Sequence, residues 1–384
     1  MHTAAIPDQS PAGRVSTLEL FFDLVFVFAI TQVTDLILHG HDAAGIAKAF
    51  LVLTLTWWIY GGYAWLTNTV GTTQPLNRVL LLAAMAGFLV MALAVPQALG
   101  SDGLAFGLAY LFVNVIHTTL YTRAADASSA RAIWRVAPFN IASALIIIVA
   151  GLAAADWKVL LWATAVAVLA IVPFVARVGD FALQPAHLVE RFGLVLIIAL
   201  GESIISIGVG AAGEPVTLPL VTAATLALAL SAALWWSYFA HDERLAEHAV
   251  RSATGPERAR MALYGFGYAQ LIMIGGIVVS AAGVKLVLSH LHEETPLSTS
   301  ALLAAGIAMY LLGDLFLRRM IGVPSSAVRA ATAALCVLTI AIGVSLGGTV
   351  QVATLVLLFV AMLSVEHVIQ RHGAPNEQSA IRQA

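Results

Sequence analysis

The chain is short of charge and nearly without cysteine. Only 10 % of its 384 residues are Asp, Glu, Lys or Arg, against about 25 % in a soluble domain. A water-soluble globular enzyme is therefore excluded. The single cysteine, Cys336, rules out a disulfide framework and a thiolate metal cluster. A net charge of −2 lacks the basic face that a nucleic-acid binder needs, so no nucleic acid is expected as a partner. Disorder is excluded as well, because it requires low hydrophobicity and high charge. No phosphate-cradling glycine loop, nucleophile elbow or dinucleotide fingerprint occurs, so enzymatic chemistry, a cofactor and a metal are not expected. What is abundant is apolar: 60 % of the residues are hydrophobic, and the mean hydropathy is +0.92. That balance specifies an all-α polytopic membrane protein.

A helix needs about 20 apolar residues to cross the roughly 30 Å hydrocarbon core. Windows of that size predict twelve spans, near 17–38, 44–66, 76–97, 103–121, 133–155, 158–176, 188–210, 217–240, 261–288, 299–317, 325–347 and 349–370. Barrel strands alternate polar and apolar residues, and these runs do not. Glu19 and Asp23 open the first run, which separates it from a cleaved signal peptide. The Lys/Arg distribution then predicts orientation. Sixteen arginines fall in the N-terminus, the even-numbered loops and the C-terminus; the other loops hold only Lys48, Lys158 and Lys285. Both termini are therefore expected in the cytoplasm. Asp42, Asp102, Asp156, Glu214, Glu293 and Glu294 mark the external loops.

Matching motifs suggest two six-helix repeats in the same orientation. Glu19-Leu20-Phe21 pairs with Glu190-Arg191-Phe192, Trp57-Trp58-Ile59-Tyr60 with Trp235-Trp236-Ser237-Tyr238, and Tyr110 plus Asn114 with Tyr310 plus Asp314. The offsets are 171, 178 and 200 residues, in the same order. The organisation expected is a cytoplasmic tail over 1–16 and a first half over 17–180. Spans 7 and 8 follow over 181–240, then a cytoplasmic linker over 241–260. The rest of the second half covers 261–370, and a tail covers 371–384. The two Trp-Trp-x-Tyr groups read either as anchors at the headgroup level or as lining for a site.

Ionisable side chains inside the spans are the candidate functional residues. A charge at mid-bilayer costs at least ~2.5–3.5 kcal/mol, so it faces protein or a wet cavity. Glu202 is the deepest, ~18 Å beyond Glu190 along one helix at 1.5 Å per residue. It sits in Gly201-Glu202-Ser203, whose small residues permit close approach by a second helix or water. Glu19 and Asp23 share a face at spacing i,i+4, where the helix dipole also favours acids. Tyr110, Asn114, His117 and Tyr121 form one polar stripe on span 4. Asp314 is the counterpart on span 10. His187 and Glu190 lie beside Arg191 as a charge cluster at the membrane edge. The candidate transport and polar-core set is thus Glu19, Asp23, Asn114, His117, Glu190, Glu202, Ser203 and Asp314. His241-Asp242-Glu243 with Glu247 and His248 matches no His-Glu-x-x-His zinc signature.

Two of these segments carry a family resemblance. Thr17-Leu18-Glu19-Leu20-Phe21-Phe22-Asp23-Leu24-Val25-Phe26-Val27-Phe28 resembles the opening signature of the bacterial low temperature requirement A (LtrA) proteins. Glu190-Arg191-Phe192-Gly193-Leu194 with Leu200-Gly201-Glu202-Ser203-Ile204 resembles their second signature. The resemblance implies a multi-pass protein of the bacterial plasma membrane supporting growth in the cold, with no agreed substrate or catalytic residue. Phe22-Asp23-Leu24-Val25-Phe26 is also similar to the Phe-Ser-Asp first-helix signature of a lysosomal and bacterial potassium-channel family, although Phe22 stands in place of the serine. The function expected is a secondary transporter or permease with a polar midplane site. An ion channel, and a non-transporting sensor or scaffold, are the alternatives. The partners expected are membrane lipids and a small solute or ion, with proton coupling.

Overall fold

The computed structural model describes residues 15–40, 42–70, 74–124, 127–175, 183–323 and 327–381. Arg14, Arg177 and Arg382, which entered the charge count, and the boundary at 180 lie outside the described residues. Within them the chain is helical, with no strand. Twelve helices are long and apolar enough to cross a membrane, the number the hydropathy windows predict.

The first six are α1 (Thr17–His39), α2 (Ala43–Thr69), α3 (Pro75–Ala94), α4 (Gly103–Ala124), α5 (Ala127–Leu152) and α6 (Ala155–Val175). Next come α7 (Pro185–Gly210), α8 (Leu218–Phe239), α9 (Asp242–Ser252) and α10 (Gly255–Arg260). A π-type stretch, Met261–Ala269, leads from α10 into α11 (Gln270–Ser289). The chain closes with α12 (Leu297–Met320), α13 (Ala327–Leu346) and α14 (Gly348–Ile381). Proline and glycine punctuate the ends. Pro75 opens α3, where its missing N–H is no loss. Gly347, with φ +99°, turns the chain between α13 and α14 in a left-handed conformation that other residues adopt only under strain.

The predicted linker over 241–260 is not a loop. It folds as α9 and α10, because Asp242 and Glu243 occupy the first turn of α9 and Arg251 the last. Glu247 and Arg251 add an i,i+4 pair. Asp242, Ala246 and Val250 are its buried positions. The backbone of α14 likewise continues past the predicted limit at 370.

The chain divides into two compact units, each built from several stretches of sequence. One takes Met1–Ala29, Leu55–Val195 and Glu247–Ala262; the other takes Ile30–Thr54, Leu196–Ala246 and Leu263–Ala384. The first unit has an aromatic core. Phe22 lies 5.1 Å from the Tyr63 ring and 5.0 Å from Phe88. Phe26 stacks on Tyr60 at 4.1 Å, and Trp57 on Tyr60 at 5.6 Å. Trp57 and Tyr60 are buried, so they are not headgroup anchors, whereas Trp235 and Trp236 of the other unit are exposed. The same four-residue pattern thus takes two environments, because burial follows from which face of the helix meets a neighbour.

The core of the second unit is the crossing of α11 with α12. A side chain on Gly276 would strike the backbone of Gly306 and Tyr310, and one on Gly306 would strike Gly276 and Ser280. Lipid tails are as apolar as leucine, so membrane helices associate through such close backbone packing and a few hydrogen bonds. Glycine is what allows these two axes to approach.

Candidate functional site

Among the described residues, the buried acids and arginines collect in three groups. In the first unit, the N-terminal turns of α1 and α7 meet the C-terminal half of α2. Asp23 Oδ1 accepts a hydrogen bond from the Tyr60 hydroxyl at 2.9 Å and lies 2.8 Å from Arg191 Nη2. The other Asp23 oxygen is buried without a hydrogen bond. Glu19 Oε2 stands 3.9 Å from Arg191 Nη1 and 3.0 Å from His187 Nε2.

The tautomer of His187 follows from its second neighbour. Asn68 Oδ1 accepts from the Gln184 backbone N–H at 2.7 Å, which orients the amide. Its nitrogen therefore faces His187 Nδ1, 3.2 Å away. An amide nitrogen only donates, so Nδ1 accepts from Asn68 and Nε2 donates to Glu19 Oε2. Two carboxylates, Glu19 and Asp23, thus share one guanidinium, that of Arg191. Glu190 faces elsewhere and accepts from the Val15 N–H at 3.3 Å.

Arg191 is the odd member. It is 1 % exposed, and its guanidinium carbon sits 5.8 Å from the Tyr60 ring centroid, within cation–π reach. Yet Nε, Nη1 and Nη2 make no hydrogen bond, since the approach to Asp23 is off-line. Buried donors are nearly always satisfied. A small, mostly apolar pocket lies beside it, lined by Leu18, Glu19, Phe22, Tyr63, Thr67, Leu81 and Arg191, with room for about one water.

The second group holds the other unit together. Arg329, near the start of α13, donates from Nε and Nη2 to the two oxygens of Glu366 on α14, at 2.9 and 3.0 Å. Its Nη1 reaches Asp242 at 2.8 Å and also Asp314, and Nη2 reaches the Ser237 carbonyl at 3.1 Å. Arg318 grips Asp242 with two bonds of 2.9 and 2.7 Å. Paired parallel bonds of this kind suit the planar guanidinium fork. Three acids and two arginines from the start of α9, α12, α13 and α14 therefore share one buried cluster, with the Ser237 carbonyl near the end of α8.

The third group surrounds Glu202, in the second unit and 2 % exposed. Its Oε2 accepts from Thr31 at 2.5 Å and Oε1 from Ser206 at 3.2 Å. Ser203 is buried beside it. On α4, Asn114 Nδ2 donates to the Tyr110 carbonyl at 2.8 Å. His117 packs between Tyr63 and Tyr121, at 5.2 and 5.0 Å.

The structure thus brings Glu19 and Asp23 together. It leaves Glu202 with Ser203, Asn114 with His117, and Asp314 with the arginines as separate groups. Three charges counted as loop residues, Arg191, Arg318 and Arg329, are instead buried in helices, because interior acids need cations and arginine alone brings a fixed fork. Sequence reasoning passed over Arg329, Arg318, Asp242 and Glu366 as site residues. The signals were there: Asp314 and Arg318 are spaced i,i+4, and Glu366 stands near the end of an otherwise uncharged run from Thr349.

These features define a multi-pass helical membrane protein with buried ion pairs between its helices. The chain belongs to the family described as bacterial low temperature requirement A protein (LtrA), which matches residues 14–364. It is 28 % identical over 319 residues to an uncharacterized protein of Rhizobium meliloti (strain 1021), covering 80 % of this chain and 78 % of the relative.

Proposed function

We propose that the protein is a secondary carrier of the bacterial plasma membrane, with both termini in the cytoplasm, and that it serves growth in the cold. The observation that carries this reading is the ionic group of the first unit, where Glu19, Asp23 and Arg191 lie buried among apolar helices. Buried charge of that kind in a membrane protein is the ordinary mark of a solute or ion path. Two six-helix repeats fit the paired motifs and an alternating-access cycle. Glu202 carries less weight than its depth suggests, since hydroxyls of Thr31 and Ser206 occupy both its oxygens.

The test is flux into liposomes holding purified protein, followed with a pH-sensitive dye and a panel of radiolabelled solutes. The result expected is solute or proton movement that Arg191→Gln and Glu19→Gln abolish and Glu202→Gln keeps. Loss in Glu202→Gln with retention in Arg191→Gln moves the site to Glu202. Unitary current steps in planar bilayers overturn the carrier in favour of a channel. No movement of any solute, ion or proton favours the sensor or scaffold.

A further inference from the structure

The two Trp-Trp-x-Tyr groups differ in what their indoles can reach. In the first unit, Trp57 is buried and Trp58 Nε1 donates to Asn140 Oδ1 at 3.1 Å. In the second unit, Trp235 and Trp236 are 41 % and 57 % exposed, and neither indole N–H meets an acceptor among the described residues. Their rings are nonetheless held in place. Trp235 stacks on Phe239 at 5.5 Å and meets the edge of Trp236 at 6.1 Å. Both stand near the end of α8, where an apolar helix gives way to the charged α9. At such a boundary a bilayer passes from acyl chains to headgroups, and an indole suits it with an apolar ring and one donor.

An arginine stands at the same end. Arg244 is exposed, and its Nη2 donates to the Ala240 carbonyl at 2.8 Å. The Ala240 N–H donates in turn to the Trp236 carbonyl at 3.2 Å. The guanidinium is thus anchored about 6 Å beyond Trp236 along the chain's rise, four residues at 1.5 Å. Among the described residues Arg244 forms no ion pair, because the acids of α9 are turned elsewhere. Asp242 is buried against Arg318 and Arg329, and Glu247 pairs with Arg251. Glu243 is half-buried, and adjacent residues of a helix do not face each other. The free groups of this surface are therefore donors beside an apolar platform, to which exposed Leu245 adds. A phosphate matches the guanidinium fork. A free anion would leave the aromatic rings without a partner, and a zwitterionic lipid brings its own cation to compete for the phosphate.

We infer that Trp235, Trp236 and Arg244 form a docking surface for an anionic phospholipid, with its phosphate on Arg244 and its acyl chains along the two indoles. The inference stands apart from the carrier reading, since it concerns the outer face of the second unit.

Tryptophan fluorescence of the full chain tests it, in phosphatidylcholine vesicles holding a fixed share of phosphatidylglycerol. Bromine is placed on the acyl chains of one lipid or the other. The emission of the two indoles is the difference from a variant carrying Trp235→Phe and Trp236→Phe. Brominated phosphatidylglycerol should quench that emission about fivefold more effectively per lipid than brominated phosphatidylcholine, the worth of one arginine near an anionic surface. Arg244→Gln should remove the preference and leave quenching by brominated phosphatidylcholine unchanged. Because that variant also loses the bond to Ala240, Arg244→Lys serves as the second; it keeps the charge and should keep most of the preference. Equal quenching by the two brominated lipids makes the indoles general anchors and overturns the inference, as does a preference that survives Arg244→Gln. Loss of the preference on adding sodium phosphate at constant ionic strength assigns the site to a free anion and overturns it too. No quenching by either lipid means that protein, such as a second copy of the chain, covers the surface, and this also defeats the proposal.

Discussion

Arg329→Met is the most demanding perturbation of the buried cluster. Arg329 donates to Asp242, Asp314, Glu366 and the Ser237 carbonyl, and it is 2 % exposed. Methionine keeps the length and apolar volume but no donor. The cluster then holds three acids against Arg318 alone, and Arg318 already uses two donors on Asp242. Removing one partner of a buried ion pair costs ~3–5 kcal/mol, mostly because the remaining charge stays buried and unpaired. At ~2–4 °C per kcal/mol for a unit of this size, the apparent melting temperature should fall by roughly 6–20 °C. The assay is thermal unfolding in detergent, read by the monodisperse fraction in size-exclusion chromatography after heating. Asp314→Asn introduced into Arg329→Met restores the original net charge and should recover part of the loss. Asp314→Asn alone should cost less than Arg329→Met, since Arg318 and Arg329 keep their bonds to Asp242 and Glu366. Melting of Arg329→Met within 2 °C of the parent, judged on that ~2–4 °C per kcal/mol scale, would refute the idea that this arginine holds α12, α13 and α14 to the end of α8.

Other substitutions probe the remaining contacts. Tyr60→Phe strips Asp23 of its hydroxyl donor and should cost ~1–3 kcal/mol, the penalty for a buried acceptor left short, seen as a lower melting temperature. Gly306→Val places a branched side chain against the Gly276 and Ser280 backbone; overpacking of ~1–3 kcal/mol or more should appear as aggregation or early melting, and normal behaviour would show that α11 and α12 do not cross there. Glu202→Gln should change stability by less than ~1 kcal/mol, because membrane hydrogen bonds average about 0.6 kcal/mol and an amide oxygen still accepts. Orientation is readable with thiol reagents. The native Cys336 is buried and should label weakly, whereas Glu293→Cys should label from outside intact cells and Arg371→Cys only after permeabilisation. The reverse pattern would invert the topology.

Hydropathy carries the helices because it is a local property. Each span is a run of contiguous residues, and the bilayer sets its length whatever the partners are. The spans, the all-α class and the membership in a membrane family were therefore legible from residues 14–364 alone. Depth was legible too: Glu19, Asp23, Glu202, Asp314 and His117 were recognisable as polar groups in apolar surroundings. The linker was misread because α9 is amphipathic and short, so its charges concealed a helix that buries Asp242.

Partnership was decided only by tertiary packing. Arg329 meets Asp242, 87 residues earlier, and Glu366, 37 residues later. Tyr60 meets Asp23 across 37 residues, and His187 meets Glu19 across 168. No periodicity encodes such pairs, since they depend on which helix faces are turned together. The same reason separates the two Trp-Trp-x-Tyr groups: both tyrosines are buried, but Trp57 lies inside a core while Trp235 and Trp236 are exposed. The chain's own order dictates that its acids must lie within oil; only the folded bundle dictates which arginine answers each of them.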